Sequence, residues 1–119
     1  MDELVAQVRE AGLDASLTVE GEPADLAPGI DMSAYRIVQE ALTNALRYAP
    51  GSTVGVTVAY GRDLRLEIRD DGGRSANGHA PPGSGHGIVG MRERAALYGG
   101  ELEAGPEGKG FVVRARLPL

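Results

Sequence analysis

Two neighbouring segments alternate apolar with polar or small side chains: "TVGVTVAY" at residues 53–60 and "LRLEIRD" at residues 64–70. A period of two is typical of a strand that buries one face. The residues "GRD" between the segments predict a hairpin turn. The pair therefore predicts a β-hairpin whose apolar side chains share one side.

Further elements precede this hairpin. Residues 2–11 predict a helix with Asp2 as its N-cap and Gly12 just past its end. "ASLTVEG" predicts a short strand, and the Pro- and Gly-bearing "GEPADLAPG" predicts a loop. A second helix is predicted from Asp31 to about Tyr48, because apolar residues recur there with helical periodicity. Its predicted apolar side consists of Ala34, Tyr35, Val38, Ala41, Leu42, Ala45 and Leu46.

After the hairpin comes a long segment, residues 71–87, which is rich in Gly, Pro, Ser and Asn and has no periodic pattern. A loop of that length in a small domain is usually functional or disordered. Residues 88–98 predict a third helix, and "ELEAG" with "FVVRARLPL" predicts a closing hairpin. The sequence thus predicts an α/β (α+β) two-layer sandwich, with a mixed, mainly antiparallel sheet of about five strands and three helices on one face.

Composition narrows the class of protein. The 119 residues suit one domain, and the net charge of −5 with scattered Lys and Arg argues against nucleic-acid binding. The absence of cysteine excludes a disulfide framework and a thiolate metal site. No apolar stretch approaches the ~20 residues of a membrane span. We therefore expect a cytoplasmic domain without direct membrane contact.

Three polar residues of the second predicted helix, Glu40, Asn44 and Arg47, share one face opposite its apolar side. A carboxylate and an amide oxygen suit a hydrated Mg²⁺, and a guanidinium suits a phosphate. Spacing alone equally fits a solvated helix face.

The segment "RDDGG" ends the second strand of the hairpin. A carboxylate at a strand end, followed by glycine, suits recognition of a ligand amino group. The same residues are common turn formers, and that alternative stays open.

The segment "GSGHGIVGMRER", residues 83–94, places glycine at positions 83, 85 and 87 just before the third predicted helix. Successive backbone N–H groups there, with those of the helix N-terminus, suit a phosphate. A flexible linker is the alternative. His79 and His86 lie in the loop, and neither is assigned a catalytic role.

The order of these segments resembles the ATP-binding domain of sensor histidine kinases. In chain order the segments are "IVQEALTNALRYA", "RDDGG", a Gly-rich loop, "GSGHGIVGMRER" and "GFVVRARLP". These kinases share a family with gyrase, Hsp90 and MutL ATPases. The resemblance covers essentially the whole chain. "EALTNALRYA" and "GHGIVGMRER" look most like the nitrate-sensor type, which partners NarL-like response regulators.

The resemblance implies a role for each matched residue. Asn44 would bind Mg²⁺ with Glu40 helping through water, and Arg47 would meet the phosphates of ATP. Asp70 would accept the adenine amino group at a box that ends with Gly72. The cradle around the triphosphate would be formed by Gly83, Gly85, His86 and Gly87, within an ATP lid at about residues 71–87.

The sequence departs from the family pattern at three places. Arg74 stands where a glycine is expected, Tyr48 where relatives often carry His, and Phe111 where many carry a Thr that assists at the adenine. The family also transfers phosphate to a histidine on a separate dimerisation domain, which this sequence does not contain. We therefore expect a fragment whose parent kinase supplies that phosphoacceptor domain. Whether a sensor, a membrane anchor or both precede it in the parent kinase stays open.

Two other functions remain open at this point. The chain could be a self-contained ATPase or an anti-sigma-type serine kinase of the same superfamily, with Glu40 as general base. It could also be a degenerate module that docks to a partner without binding nucleotide. Measurable ATP turnover by the chain alone favours the first alternative, and absence of ATP binding favours the second.

Overall fold

The computed structural model describes residues 1–72 and 85–119, except for the side chains of residues 85 and 86. Three helices and five strands lie in these ranges. In chain order they are α1 (Asp2–Glu10), β1 (Asp14–Glu20), α2 (Pro28–Tyr48), β2 (Thr53–Tyr60), β3 (Asp63–Asp70), α3 (Gly85–Ala96), β4 (Glu101–Glu107) and β5 (Gly110–Pro118).

The strands form one sheet in the order β1-β2-β3-β5-β4. β1 runs parallel to β2, to which it is connected through α2. The pairs β2–β3, β3–β5 and β4–β5 are antiparallel. The predicted hairpin is β2–β3, with Val54 opposite Asp70 and Tyr60 opposite Leu64. The predicted mixed, mainly antiparallel sheet is confirmed.

One face of this sheet carries the core. Val56 of β2 and Leu66 of β3 are buried in a single apolar cluster with Leu4 of α1, Ile37 of α2 and Met91 of α3. The helices therefore cover the side of the sheet to which the alternating apolar residues point. The predicted two-layer sandwich with three helices on one face is confirmed.

The other face of the sheet, here called the outer face, carries charged side chains. Glu67 and Glu107 lie between Arg69 and Arg114 and form ion pairs with both. A hydrogen bond to Glu67, with a further one to Glu107, raises the pKa of the Arg114 guanidinium above its ordinary value. Because water screens such exposed pairs, they stabilise the fold little individually.

Helix α1 departs slightly from expectation at its start. The N-cap is Met1, without a side-chain capping bond, so the prediction that Asp2 caps the helix is wrong. Asp2 lies in the first turn instead, where its charge still interacts favourably with the helix dipole. Gly12 follows the C-cap with a φ of 112°, as a residue just past a helix end often does.

Helix α2 begins at Pro28, three residues before the predicted Asp31. Proline fits the first helical position because its missing N–H would have no intrahelical acceptor there. Ile37 is fully buried although the predicted apolar side omitted it, whereas Tyr35 and Leu46 are only partly buried. None of the helices in the described ranges is both long and apolar enough to cross a membrane.

Helix α3 begins at Gly85 and ends at Ala96, whereas the sequence predicted residues 88–98. Gly85 and Gly87 therefore lie in its first turn and not in a loop. Glycine is a poor helix former, so local propensity favoured the later start. Packing against α2 stabilises the additional turn, as described below.

Ser52, in the turn between α2 and β2, is fully buried, and its hydroxyl has no hydrogen-bond partner among the described residues. We expect Ser52→Ala to raise the free energy of unfolding by about 1 kcal/mol, because a buried unpartnered hydroxyl is destabilising. Urea denaturation measures this change. Thr43→Ala, which removes an exposed hydroxyl bonded to the Gln39 carbonyl, is the control. A decrease in stability for Ser52→Ala would contradict the prediction.

Candidate functional site

Glu40 and Asn44 lie one turn apart on α2, and both are half-buried. They flank the apolar side of the helix next to the fully buried Ile37, so they do not lie opposite that side as the sequence predicted. The reason is that a second helix, α3, packs against this flank. The alternative that Glu40 and Asn44 lie on a fully solvated face of α2 is therefore not supported by the structure.

Gly87, in the first turn of α3, faces these two side chains. A Cβ atom on Gly87 would lie 2.5 Å from Glu40 Oε1 and 3.3 Å from Asn44 Nδ2. Only glycine allows the backbone of α3 to approach so closely without displacing the carboxylate. Glu40 and Asn44 from one sequence motif thus lie next to Gly87 from another motif, more than 40 residues later in the chain.

The start of α3 presents backbone donors at the same place. The N–H groups of Gly85, His86 and Gly87 lie in the first turn, where an α-helix offers no intrahelical acceptor. The positive end of the helix dipole adds to their attraction for an anion. The predicted cradle is therefore helical from residue 85 onward. Gly83 and the predicted lid residues 73–84 lie outside the described residues, as does the side chain of His86.

Asp70, the last residue of β3, is buried, with only 8% of its surface exposed. It follows Leu66 and Ile68 on the helix-covered side of the sheet, which is also the side of α2 and α3. The backbone N–H of Gly72 donates a 2.9 Å hydrogen bond to Asp70 Oδ1. This bond orients a buried carboxylate at the strand end, where the sequence placed a candidate acceptor.

Gly72 itself has a φ of 86°, in the left-handed region that favours glycine. A Cβ there would overlap the carbonyl oxygen of Lys109. A Cβ on Gly110 would likewise overlap the Asp70 carbonyl. Gly110 opens the segment "GFVVRARLP", but the sequence pattern assigned it no role. A glycine at the strand start next to a tight turn was the available signal, but its partner became visible only with the β3–β5 register.

Arg47 lies on the exposed surface of α2, on the same side as Glu40 and Asn44. Its guanidinium carbon is 5.8 Å from the centre of the Tyr48 ring, within the range of a cation–π contact. The structure therefore brings Glu40 and Asn44 to Gly87, whereas Arg47 lies over the ring of Tyr48.

The donor set at this place fits a metal that takes few protein ligands. The described residues contain no group of three or more His, Cys, Asp or Glu side chains that could enclose an ion. Mg²⁺ usually keeps several waters and binds through one or two carboxylate-type oxygens plus substrate phosphates. Glu40 and Asn44, beside the amides of α3, match that chemistry, whereas an all-protein calcium or zinc cage does not.

Comparison with known families identifies the chain. The family described as "Histidine kinase-, DNA gyrase B-, and HSP90-like ATPase" matches residues 29–119. The chain belongs to this family. It is a histidine kinase-like ATPase domain, and domains of this family bind ATP. A curated relative, the sensor histidine kinase LnrJ of Bacillus subtilis, is 34% identical over 113 residues, which are 93% of this chain and 27% of LnrJ. The chain thus spans about a quarter of that relative.

Solved structures show the same fold at low sequence identity. The Acinetobacter baumannii histidine kinase AdeS superposes with a TM-score of 0.74 at 14% identity, covering 98% of this chain and 61% of AdeS. The mycobacterial sensor histidine kinase MprB superposes with a TM-score of 0.68 at 23% identity, covering 98% of this chain and 91% of that one. The architecture of this ATPase domain is therefore that of histidine kinase catalytic domains.

Proposed function

We propose that this domain binds Mg-ATP between α2 and α3 and supplies its γ-phosphate to a histidine on a separate dimerisation segment of a two-component sensor kinase. The observation that carries the proposal is the contact of Gly87 with Glu40 and Asn44. That contact joins two oxygen-bearing side chains to a helix N-terminus, which together suit a metal–phosphate group.

Each side chain at this contact has a part in holding the nucleotide. Asn44 would supply an amide oxygen to Mg²⁺, and Glu40 would hold a water bound to the metal. The metal, when bound, neutralises negative charge on the phosphates. Glu40 and Asn44 are half-buried beside Gly87, so both side chains already lie next to the first turn of α3.

Backbone amides and Arg47 complete the phosphate site in this proposal. The N–H groups of Gly83, Gly85, His86 and Gly87 wrap the triphosphate. Residues 73–84 act as the lid, a shorter range than the predicted 71–87 because residues 85–87 belong to α3. Arg47 leaves its contact with Tyr48 to reach a phosphate, which is possible because its guanidinium is exposed. Phosphoryl transfer depends chiefly on positioning and charge stabilisation, both of which these groups supply.

Asp70 provides base recognition. Its carboxylate accepts the adenine amino group, while the Gly72 N–H keeps one of its oxygens in place. Burial makes the carboxylate selective, because a guanine carbonyl at the same position would meet an acceptor with no donor between them.

A kinase role is favoured over the alternatives by the 34% identity to a protein named a sensor histidine kinase. We propose that the parent protein contains the phosphoacceptor domain, acts in the cytoplasm and passes phosphate to a response regulator. The segments "EALTNALRYA" and "GHGIVGMRER" support a regulator of the NarL-like type. A self-contained ATPase, a serine kinase or a docking module remains an outcome of the tests.

We expect calorimetry to detect Mg-ATP binding by the chain and Asn44→Ala to weaken that binding about tenfold. The physical reason is that loss of a hydrogen bond or ligand to a charged group costs about 1.5–3 kcal/mol. In EDTA, wild type and variant should bind ATP with similar affinity, because the proposed partner of Asn44 is the metal.

Thr43→Ala serves as the control, since Thr43 is an exposed neighbour on the same helix. An equal loss with and without Mg²⁺ would mean that Asn44 is structural. Absence of any ATP binding by the wild type would favour the docking module. Steady ATP turnover by the chain alone, abolished by Glu40→Gln, would favour a self-contained ATPase.

A further inference from the structure

Two helical glycines, Gly29 in α2 and Gly87 in α3, have no backbone reason to be glycine. Neither has a positive φ, unlike Gly12 or Gly72. Alanine is the better helix former at such positions. Their small size must therefore serve a neighbouring side chain.

The neighbour of Gly29 is Tyr98. A Cβ on Gly29 would overlap the Tyr98 hydroxyl and lie 2.8 Å from its ring carbon Cζ. Tyr98 is 39% exposed, so burial in the core does not account for the position of its side chain. Its ring tip rests on the first turn of α2, in the space that the missing Cβ leaves.

The backbone of Tyr98 is fixed at the end of α3. The N–H of Gly100 donates to the Ala95 carbonyl at 2.9 Å, and that of Gly99 donates to the Ala96 carbonyl at 3.0 Å. With a φ of 76° at Gly99, these two bonds form a Schellman motif. The backbone at Tyr98 is thus tied to the last turn of α3.

The two glycine contacts are separated by the same number of residues along each helix. Gly29 precedes Glu40 by eleven positions, and Gly87 precedes Tyr98 by eleven positions. Along a helix this separation is about 16 Å. Helices α2 and α3 therefore run antiparallel, with Gly29 against Tyr98 at one end of their interface and Gly87 against Glu40 at the other.

We propose that Tyr98 is a positioning residue for the nucleotide site. Its hydroxyl end, seated on Gly29, sets the spacing of α3 from α2 at the far end of the interface. That spacing holds the first turn of α3 against Glu40 and Asn44. The consequence for nucleotide affinity rests on the function proposed above, whereas the coupling between the two ends of the interface does not.

The test uses the whole chain and Mg-ATP. Gly29→Ala should weaken Mg-ATP binding about tenfold, because a small displacement of a binding group is costly. Tyr98→Ala, which removes the contact without adding bulk, should weaken it about threefold. The double variant with both Gly29→Ala and Tyr98→Ala should bind Mg-ATP only about threefold more weakly than the wild type. Its affinity is then higher than that of Gly29→Ala alone, since no ring meets the new methyl group.

Gly90→Ala is the matched control. It is another helical glycine of α3, but its Cβ would meet only the flexible end of Arg94 at 3.1 Å. We expect its Mg-ATP affinity to equal that of the wild type. The control separates the general effect of replacing a helical glycine with alanine from an effect on the contact between the helices.

A nucleotide-free measurement keeps the inference separate from the proposed function. In the free chain, Gly29→Ala should shift the amide NMR resonances of Glu40, Asn44 and Gly87, and Gly90→Ala should leave those of Glu40 and Asn44 in place. Shifts without any Mg-ATP binding by the wild type would uphold the coupling and reject the nucleotide role. Unshifted resonances, or a double variant no better than Gly29→Ala, would overturn the inference.

Discussion

Asp70→Asn should lower ATP affinity about tenfold or more and reduce the preference for ATP over GTP. A charge-assisted hydrogen bond contributes roughly 1.5–3 kcal/mol, and each 1.4 kcal/mol is about a factor of ten in Kd. Asparagine can keep the bond from the Gly72 N–H through its amide oxygen, so the turn after β3 survives the change. The variant loses the negative charge and one hydrogen-bond acceptor. An amide N–H₂ donor takes the place of that acceptor.

Calorimetry with Mg-ATP and Mg-GTP measures both parts of this prediction. Asp71→Asn is the matched control, because Asp71 is the next residue but is exposed and accepts a 3.0 Å bond from the Thr53 N–H. Asparagine can accept that bond too, so the control should bind ATP like the wild type. Unchanged affinities for both nucleotides in Asp70→Asn would remove Asp70 from the proposed adenine site.

The strands were the most predictable part of this fold. The alternating segment at residues 53–60 coincides with β2, and the predicted second strand differs from β3 only by Asp63. Alternation reveals a strand because its period is set by the backbone and its apolar side by burial. The pairing of β3 with β5, which brings Phe111 opposite Asp70, is a long-range contact that no local pattern contains.

Helix starts were less predictable where packing outweighed propensity. Residues 85–87 are poor helix formers by composition, yet they form the first turn of α3. This turn is stabilised by its contact with α2, where Gly87 lies against Glu40 and Asn44. The sequence shows that these residues are glycines, but it does not show which side chains of α2 pack against them.

The candidate site was predictable as a set of residues but not as an arrangement. Helical spacing placed Glu40 and Asn44 together, although it put them opposite the apolar side of α2. Their half-buried position depends on α3, which is more than 40 residues away in sequence. The same limit hid the contact between Gly29 and Tyr98, since the two residues lie 69 positions apart and no local pattern pairs them.

The second large effect concerns phosphate transfer: we expect this chain to bind ATP yet leave itself unlabelled. An acceptor histidine must approach the γ-phosphate in line, at roughly 3–3.5 Å. The chain has two histidines, His79 and His86. The backbone of His86 lies in the first turn of α3, whose amides are proposed to hold the phosphates from the side and not opposite the leaving oxygen.

The experiment is incubation with γ-labelled Mg-ATP, first of the chain alone and then with a separately made dimerisation segment that carries the acceptor histidine. Label is expected only on the added segment, and Asn44→Ala should reduce it because Mg-ATP binding is weakened. Acid-labile phosphate at stoichiometric level on His79 or His86 would contradict the proposed division of labour. His79 lies in the proposed lid with no base beside it in "GHAPP", so no neighbouring group would activate it as an acceptor.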